Sequence, residues 1–364
     1  MIEGKILYAF FELLRSGLWN SPINYSDNFP LSKQEWNTLY LLSINHTVDG
    51  IVFDGIQKLD HELQPPKDIL INWLVRTEKI EQRNDWMNNI LLDQVDFFKS
   101  QGLTPILLKG QGLADFYINA KRRSSGDIDW YFGDDAAYLS AKNSLQKNNF
   151  KIQETPGFSA SFFWENCETE IHQRMFDIHN PLIRHYFKKI EESESENKSS
   201  FVINNKKVFR PSPISNLVQI NLHILKHLLS FGIGMRQLCD SARAYVSLDK
   251  KYDKKLLHSL YRKIGVLKWI NLLHLILVDK FGLPEEMLPF ELNRRAEYSW
   301  MLNDILHAGN FGFHNEEYKL AENKTGKRAE SKTRIFSNLL KYIKVAPQEA
   351  ISFPIVHFYS RFSS

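Results

Sequence analysis

At 364 residues the chain exceeds the usual single-domain size, so two domains or one core with large helical additions are expected; 43 % hydrophobic and 24 % charged residues exclude disorder as the default. A net charge of +4 on 46 basic and 42 acidic groups is too small to imply a nucleic-acid partner. Cys167 and Cys239, the 2 cysteines present, exclude a disulfide framework and a Cys-rich zinc site and fit a reducing compartment, most simply the cytoplasm.

The N-terminal run MIEGKILYAFFELLRSG carries Glu3 and Glu12 and no small-residue cleavage site, so it reads as a helix and not as a signal peptide. Helical patterning continues to about Gly102 and ends in a long segment that Pro65 and Pro66 introduce. There Ile69, Trp73, Ile80, Met87, Leu91, Val95 and Phe98 recur at helical spacing and form one apolar face, read as core packing. After Gly102 the period changes. TPILLKG is a short buried strand, GQGLADFY a turn into a helix, DIDWYF a second strand, and DDAAYLSAKNSLQKNNF a polar-faced helix.

FKIQETP and SASFFWENCETEIHQRM supply two or three further strands, and the charged, Ser-rich end of IRHYFKKIEESESENKSS reads as a solvated helix end and loop. From Ser212 onward the pattern is helical again, with no internal repeat of fixed period. The apolar run VLKWINLLHLILV is interrupted by Lys268, Asn271 and His274 and is too short for a membrane span, so no membrane association is expected. Between Lys319 and Lys344 basic residues dominate, which suits a solvated helix face or a surface for a phosphate-bearing ligand. The expected division is an N-terminal helical region (1–101), an α/β core (102–210) and a C-terminal helical region (211–364).

The chemistry concentrates in RRSSGDIDWYF. In a strand, Asp127, Asp129 and Tyr131 point one way and Ile128, Trp130 and Phe132 the other. The two acids then sit roughly 6 to 7 Å apart at their α-carbons, and their tips can converge on one or two hard cations that relieve their repulsion. Lys109 and Gly110 end the preceding strand, where a glycine admits a backbone amide to a phosphate and a lysine adds positive charge, with a helix opening behind them. Arg122 and Arg123 precede the acids; Arg123 is the favoured phosphate contact. A third acid for a two-metal site can come from ENCETEIHQRM, which offers Glu165, Glu168, Glu170 and His172. His223 and His227 share a helical face, and with Lys226, Arg236 and Asp240 they are candidates to line an acceptor or nucleotide cleft.

Taken in order, LLKGQGLADFY, RRSSGDIDWYF, EIHQRM, and helices with HILKH and GMRQLCD resemble the uncharacterised nucleotidyltransferase-like family of the DNA polymerase β superfamily. The resemblance implies an α+β fold: a nucleotidyltransferase-like mixed sheet with helices, flanked by helical regions. It implies two Mg2+ ions, or Mn2+ in their place, on Asp127 and Asp129, with Glu170 as the third carboxylate that binds a catalytic metal and helps deprotonate the acceptor. Gly110 matches the glycine of the triphosphate turn. Gln111 departs from the pattern, standing where the superfamily usually has Gly or Ser, and the spacing from Gly110 to Asp127 is longer than in compact members.

The function expected is transfer of a nucleoside monophosphate from an NTP to a hydroxyl of an acceptor, a small molecule in preference to protein or RNA. Two alternatives stand beside it. One is a nucleotide- or partner-binding module of the same fold without turnover, motivated by Gln111; the other is a DxD glycosyltransferase, which explains the acids but not the KG turn.

Overall fold

The computed structural model describes residues 4–24, 28–155, 158–310 and 332–360. It opens with α1 (Gly4–Trp19), α2 (Lys33–Asn45), α3 (Asp49–Ile56) and the 34-residue α4 (Lys67–Ser100). Ser32 starts α2 with a capping box: its hydroxyl accepts from the Glu35 amide while the Glu35 carboxylate accepts from the Ser32 amide. α4 runs from the residue after Pro66 to just short of Gly102, as the proline pair and the glycine predict.

Strands β1 (Ile106–Leu107), β2 (Ile128–Tyr131), β3 (Gln153–Thr155), β4 (Ser159–Trp164), β5 (Cys167–His172), β6 (Ser199–Ile203) and β7 (Lys206–Arg210) form one mixed sheet in the order β3-β4-β5-β2-β1-β7-β6. β2 runs parallel to β5 and β1 parallel to β7, while the other neighbours are antiparallel. Between them lie α5 (Gln111–Ala114), α6 (Asp135–Lys147) and α7 (Pro181–Asn197). After the sheet come α8 (Pro213–Leu229), α9 (Met235–Ser247), α10 (Lys254–Ile264), α11 (Leu267–Phe281), α12 (Ser299–Ala308), α13 (Lys332–Tyr342) and α14 (Pro347–Ser360). The chain is therefore an α+β protein, and no helix among the described residues is long and apolar enough to cross a membrane.

Two apolar clusters sandwich the sheet. Behind it, Met87, Leu91, Val95 and Phe98 of α4 pack with Ile128, Trp130 and Phe132 and with Tyr138, Ala141 and Leu145 of α6. In front, Tyr131 joins a larger core drawn from α1 to α3, the first half of α4, and α8 to α14. The alternation read from DIDWYF is thus realised: the apolar side chains face back, and the Trp130 indole donates to Gln94 Oε1 at 2.6 Å, so its one polar group is satisfied.

The structure refines three local expectations. The helix opening after Gly110 is a single turn, α5, followed by turns that use up the connection to β2. The Ser-rich end of α7 is solvated on one side, with Glu192, Ser195, Glu196 and Asn197 exposed, but on the other side Glu191 and Glu194 turn inward and are 2 % and 1 % exposed. Glu194 accepts from the Ser212 amide and from the Ser212 and Ser215 hydroxyls, and Glu191 from the Met175 and Phe176 amides, so these acids serve as buried acceptors that tie loops to the helix. The helix is followed by the hairpin β6–β7, whose Asn204 and Asn205 both adopt positive φ, the geometry of a two-residue hairpin turn. Of the basic segment 319–344, residues 319–331 lie outside the described residues; in the remainder Arg334 is buried and Lys341 pairs with Asp304.

Candidate functional site

Because β2 and β5 pair in parallel register, Asp129 lies beside Glu170 and Tyr131 beside His172 on the front of the sheet. β4 places Ser161 next to Glu170 and Ser159 next to His172. Asp129 is 2 % exposed. Its Oδ1 lies 2.7 Å from His172 Nε2 and 3.1 Å from Lys109 Nζ, while its Oδ2 is buried without a hydrogen-bond partner. Ligand atoms of Asp129, Glu170 and His172 lie within 4.8 Å of one another. An acid on a central strand is tolerated here because its charge is met by an ammonium and an imidazole.

Burial works to raise the Asp129 carboxyl, but the Lys109 ammonium and the His172 hydrogen bond outweigh it and hold Asp129 below the usual carboxylate range. Asp127 goes the other way: the Asp129 charge, and then burial, raise it, against the pull of Lys109. Burial opposes the charge on Lys109, yet the fields of Asp129 and Asp127 prevail and raise its pKa. This is a carboxylate pair with one member firmly ionised and the other short of positive charge, the state in which an added cation is most favourable.

These groups line a cleft of about 300 Å³ between the sheet and α8 and α9. Lys109, Gly110, Arg123, Asp127, Asp129, Glu170, His172, Lys226, His227, Arg236 and Asp240, all expected from the sequence, contribute to its wall. Gly110 has φ +56° and ψ −124°, a conformation closed to L side chains, and a Cβ there would stand 3.2 Å from the Asp127 carbonyl. The turn and the acid pair are thus in backbone contact. Gln111, whose size raises the question of a blocked phosphate grip, points elsewhere. Its amide donates to Asn84 Oδ1 at 3.2 Å, and it lines a separate cavity of about 250 Å³ with Asn84, Asn88 and Phe201.

Arg123 lines the cleft but spends its guanidinium on structure. It holds Asp240 in a bidentate pair, Nε to Oδ1 at 2.7 Å and Nη2 to Oδ2 at 2.8 Å, and Nη1 donates to Ser125 Oγ. Tyr117 also donates to Asp240. The loop before the acids is gripped from behind as well, since Asn84 donates to the Lys121 and Arg123 carbonyls and Arg83 to those of Ser125 and Gly126. Arg122 pairs with Asp54 and Glu81 away from the cleft. Arg236 donates to Thr47 Oγ1 and to the Ser124 carbonyl and feels the charge of Asp127.

Of the four candidates in ENCETEIHQRM, Glu165 sits in the β4–β5 turn with positive φ and Glu168 is exposed beside Phe163; neither lines the cleft. Asp177, a lone acid in the loop after β5, was not singled out by the sequence. Its carboxylate accepts from Lys226 Nζ at 2.8 Å and pairs with His223 Nδ1 at 2.9 Å. No spacing signal marks it, because its partners lie on α8, 46 and 49 residues further along the chain, beyond α7 and the β6–β7 hairpin.

The model of a family described as uncharacterised nucleotidyltransferase matches residues 32–281. The chain belongs to this family. The matched span runs from the start of α2 to the end of α11 and so includes the sheet, the cleft and both cleft helices. The chain is also similar to an antigenic nucleotidyltransferase-like protein from Paracoccidioides brasiliensis, with 13 % identity over 51 % of this chain and 88 % of that one and a TM-score of 0.31. No curated protein matches.

Proposed function

We propose that this nucleotidyltransferase-family protein transfers a nucleoside monophosphate from an NTP to a hydroxyl of an acceptor with the aid of divalent metal, Mg2+ or Mn2+. The observation that carries the reading is the meeting of Asp127, Asp129 and Glu170 in one cleft with Lys109 and Gly110. The donor set fits a hard cation: three carboxylates, one of them with a buried and unpartnered oxygen. When bound, the metal supplies charge neutralisation at the transferring phosphoryl group and the leaving pyrophosphate.

The chain's own residues then have distinct tasks. Asp127, Asp129 and Glu170 hold the metal, and Glu170 helps take the proton of the attacking hydroxyl. Gly110 lets the backbone approach the triphosphate, and Lys109 and Arg236 offer positive charge to its oxygens. His172 orients Asp129 through the 2.7 Å contact and reaches Glu170 Oε2 at 3.4 Å. Arg123 and Asp240 act as a brace for the loop that carries the acids. The division at 1–101, 102–210 and 211–364 belongs to the same proposal, with the acids and phosphate turn from the second segment and the helical wall from the third.

Gln111 no longer argues for an inactive binding module, since its side chain faces the cavity behind the turn. Family membership weighs against a glycosyltransferase. The test is thermal-shift titration with each NTP in Mg2+ or Mn2+, followed by a pyrophosphate-release assay with hydroxyl acceptors. NTP should stabilise the protein only with metal, and Asp127→Asn and Asp129→Asn should each abolish the effect. If no NTP binds under either metal, the proposal falls.

A further inference from the structure

The helical wall of the cleft holds a hydrogen-bond chain whose proton positions follow from its partners. Asp177 is bound to Lys226 on one oxygen and to His223 Nδ1 on the other. Burial works to raise the Asp177 carboxyl, but Lys226 and His223 keep it well below the usual range, so it is an ionised acceptor and His223 Nδ1 must donate to it. His223 itself is held neutral, pushed down to about 4 by burial and by Lys109, and His227 is held well below the ordinary imidazole range by burial and by His223. A neutral imidazole that carries its proton on Nδ1 has a lone pair on Nε2. That lone pair faces His227 Nε2 at 3.0 Å, and two ring nitrogens this close need one proton between them, so His227 Nε2–H donates.

The wall therefore offers one acceptor and one donor side by side, fixed by a carboxylate behind them. A ligand group that replaces their mutual bond must itself both donate and accept. A hydroxyl does both. A sulfate or carboxylate only accepts and leaves the His223 lone pair facing an acceptor; an ammonium only donates and leaves the His227 N–H unmet. The charge of Lys226 is already matched by Asp177, so this wall is not built as an anion site. Ile220, Ile224 and Phe231 beside the pair suit the carbon body of an uncharged molecule.

We propose that His223 and His227, oriented by Asp177, form a docking site for an acceptor hydroxyl, and that the acceptor is an uncharged polyol. This extension to the acceptor rests on the nucleotidyl-transfer reading. A hydroxyl docked here gives its hydrogen bond to His223 and keeps its proton, whereas the attacking hydroxyl faces the carboxylates and loses its proton. One hydroxyl cannot do both, so the acceptor carries at least two. His223 and His227 are positioning residues in this scheme.

The test uses the full chain with isotope-labelled histidine and reads the imidazole nitrogen signals of His223 and His227 by NMR, with glycerol, inorganic sulfate and methylammonium as probes. Glycerol should shift both Nε2 signals saturably. His227→Leu, which leaves Asp177 and His223 in place, should weaken glycerol binding at least about tenfold, and so should Asp177→Asn by freeing the His223 tautomer. The proposal is overturned if glycerol leaves both signals unmoved, or if sulfate or methylammonium moves them with a half-saturation at or below that of glycerol. NTP stabilisation is measured on the same sample. A glycerol response without NTP binding would leave the hydroxyl site standing and remove the transfer reading; NTP binding without a glycerol response would remove the hydroxyl site alone.

Discussion

Arg123 separates a phosphate ligand from a structural brace. Its guanidinium is 2 % exposed and closes two hydrogen bonds of 2.7 and 2.8 Å onto Asp240, itself 4 % exposed. Arg123→Gln would leave the Asp240 charge buried with only the Tyr117 hydroxyl, 2.6 Å away, to satisfy it. Breaking a buried pair by removing one partner costs about 3–5 kcal/mol, and the surviving tyrosine bond places this case near the lower end, about 3 kcal/mol. At roughly 2 °C per kcal/mol for a chain of this size or somewhat smaller, the melting temperature should fall by about 6 °C.

Arg123→Gln combined with Asp240→Asn removes both charges and keeps an acceptor for Tyr117, so it should recover at least about half of the lost stability. A brace predicts that NTP-dependent stabilisation returns with it. Urea unfolding of the four proteins of the cycle, each with and without NTP and Mg2+, is the measurement. If Arg123→Gln costs less than about 1 kcal/mol yet abolishes NTP stabilisation, and the double variant stays unresponsive, Arg123 is a phosphate ligand and the brace is wrong.

Gly110→Ala forces a side chain into a positive-φ conformation 3.2 Å from the Asp127 carbonyl; it should cost about 1–3 kcal/mol and abolish NTP-dependent stabilisation in a thermal-shift assay. Gln111→Ser should lose about 1 kcal/mol with the Asn84 hydrogen bond but leave NTP affinity within about twofold, as read by calorimetry; a tenfold change in either direction would place Gln111 in the phosphate grip after all. His274 is fully buried, its Nε2 2.8 Å from the Tyr245 hydroxyl, and burial pushes it down to about 3. Below its ordinary value near 6.5 the unfolded chain binds a proton that the folded chain refuses, so stability falls as pH drops, by up to about 1.4 kcal/mol per unit for this group. His274→Phe, packed against Tyr245 and Phe290, should flatten the pH dependence of the urea midpoint between about pH 6.5 and 5.5; an unchanged slope would refute the assignment.

Much of the fold was legible because its signals are local. The proline pair and Gly102 bound α4, and the alternation of DIDWYF separates an apolar back from an acidic front. The KG stretch could be read as a glycine turn at a strand end, and Gly110 does take a positive φ. The hairpin β6–β7 was hidden by the charged stretch before it, whose acids Glu191 and Glu194 turn out to be buried acceptors for loop amides and hydroxyls.

The sequence by itself determined which residues could carry charge and chemistry on which face of a strand. Only the tertiary structure decided which charges cancel. Arg123 meets Asp240 across 117 residues, Asp177 meets Lys226 across 49, and Gln111 turns towards Asn84 and not into the cleft. A buried ion must find its partner wherever the chain brings one within about 3 Å, and that distance is set by packing between elements, which no local spacing encodes.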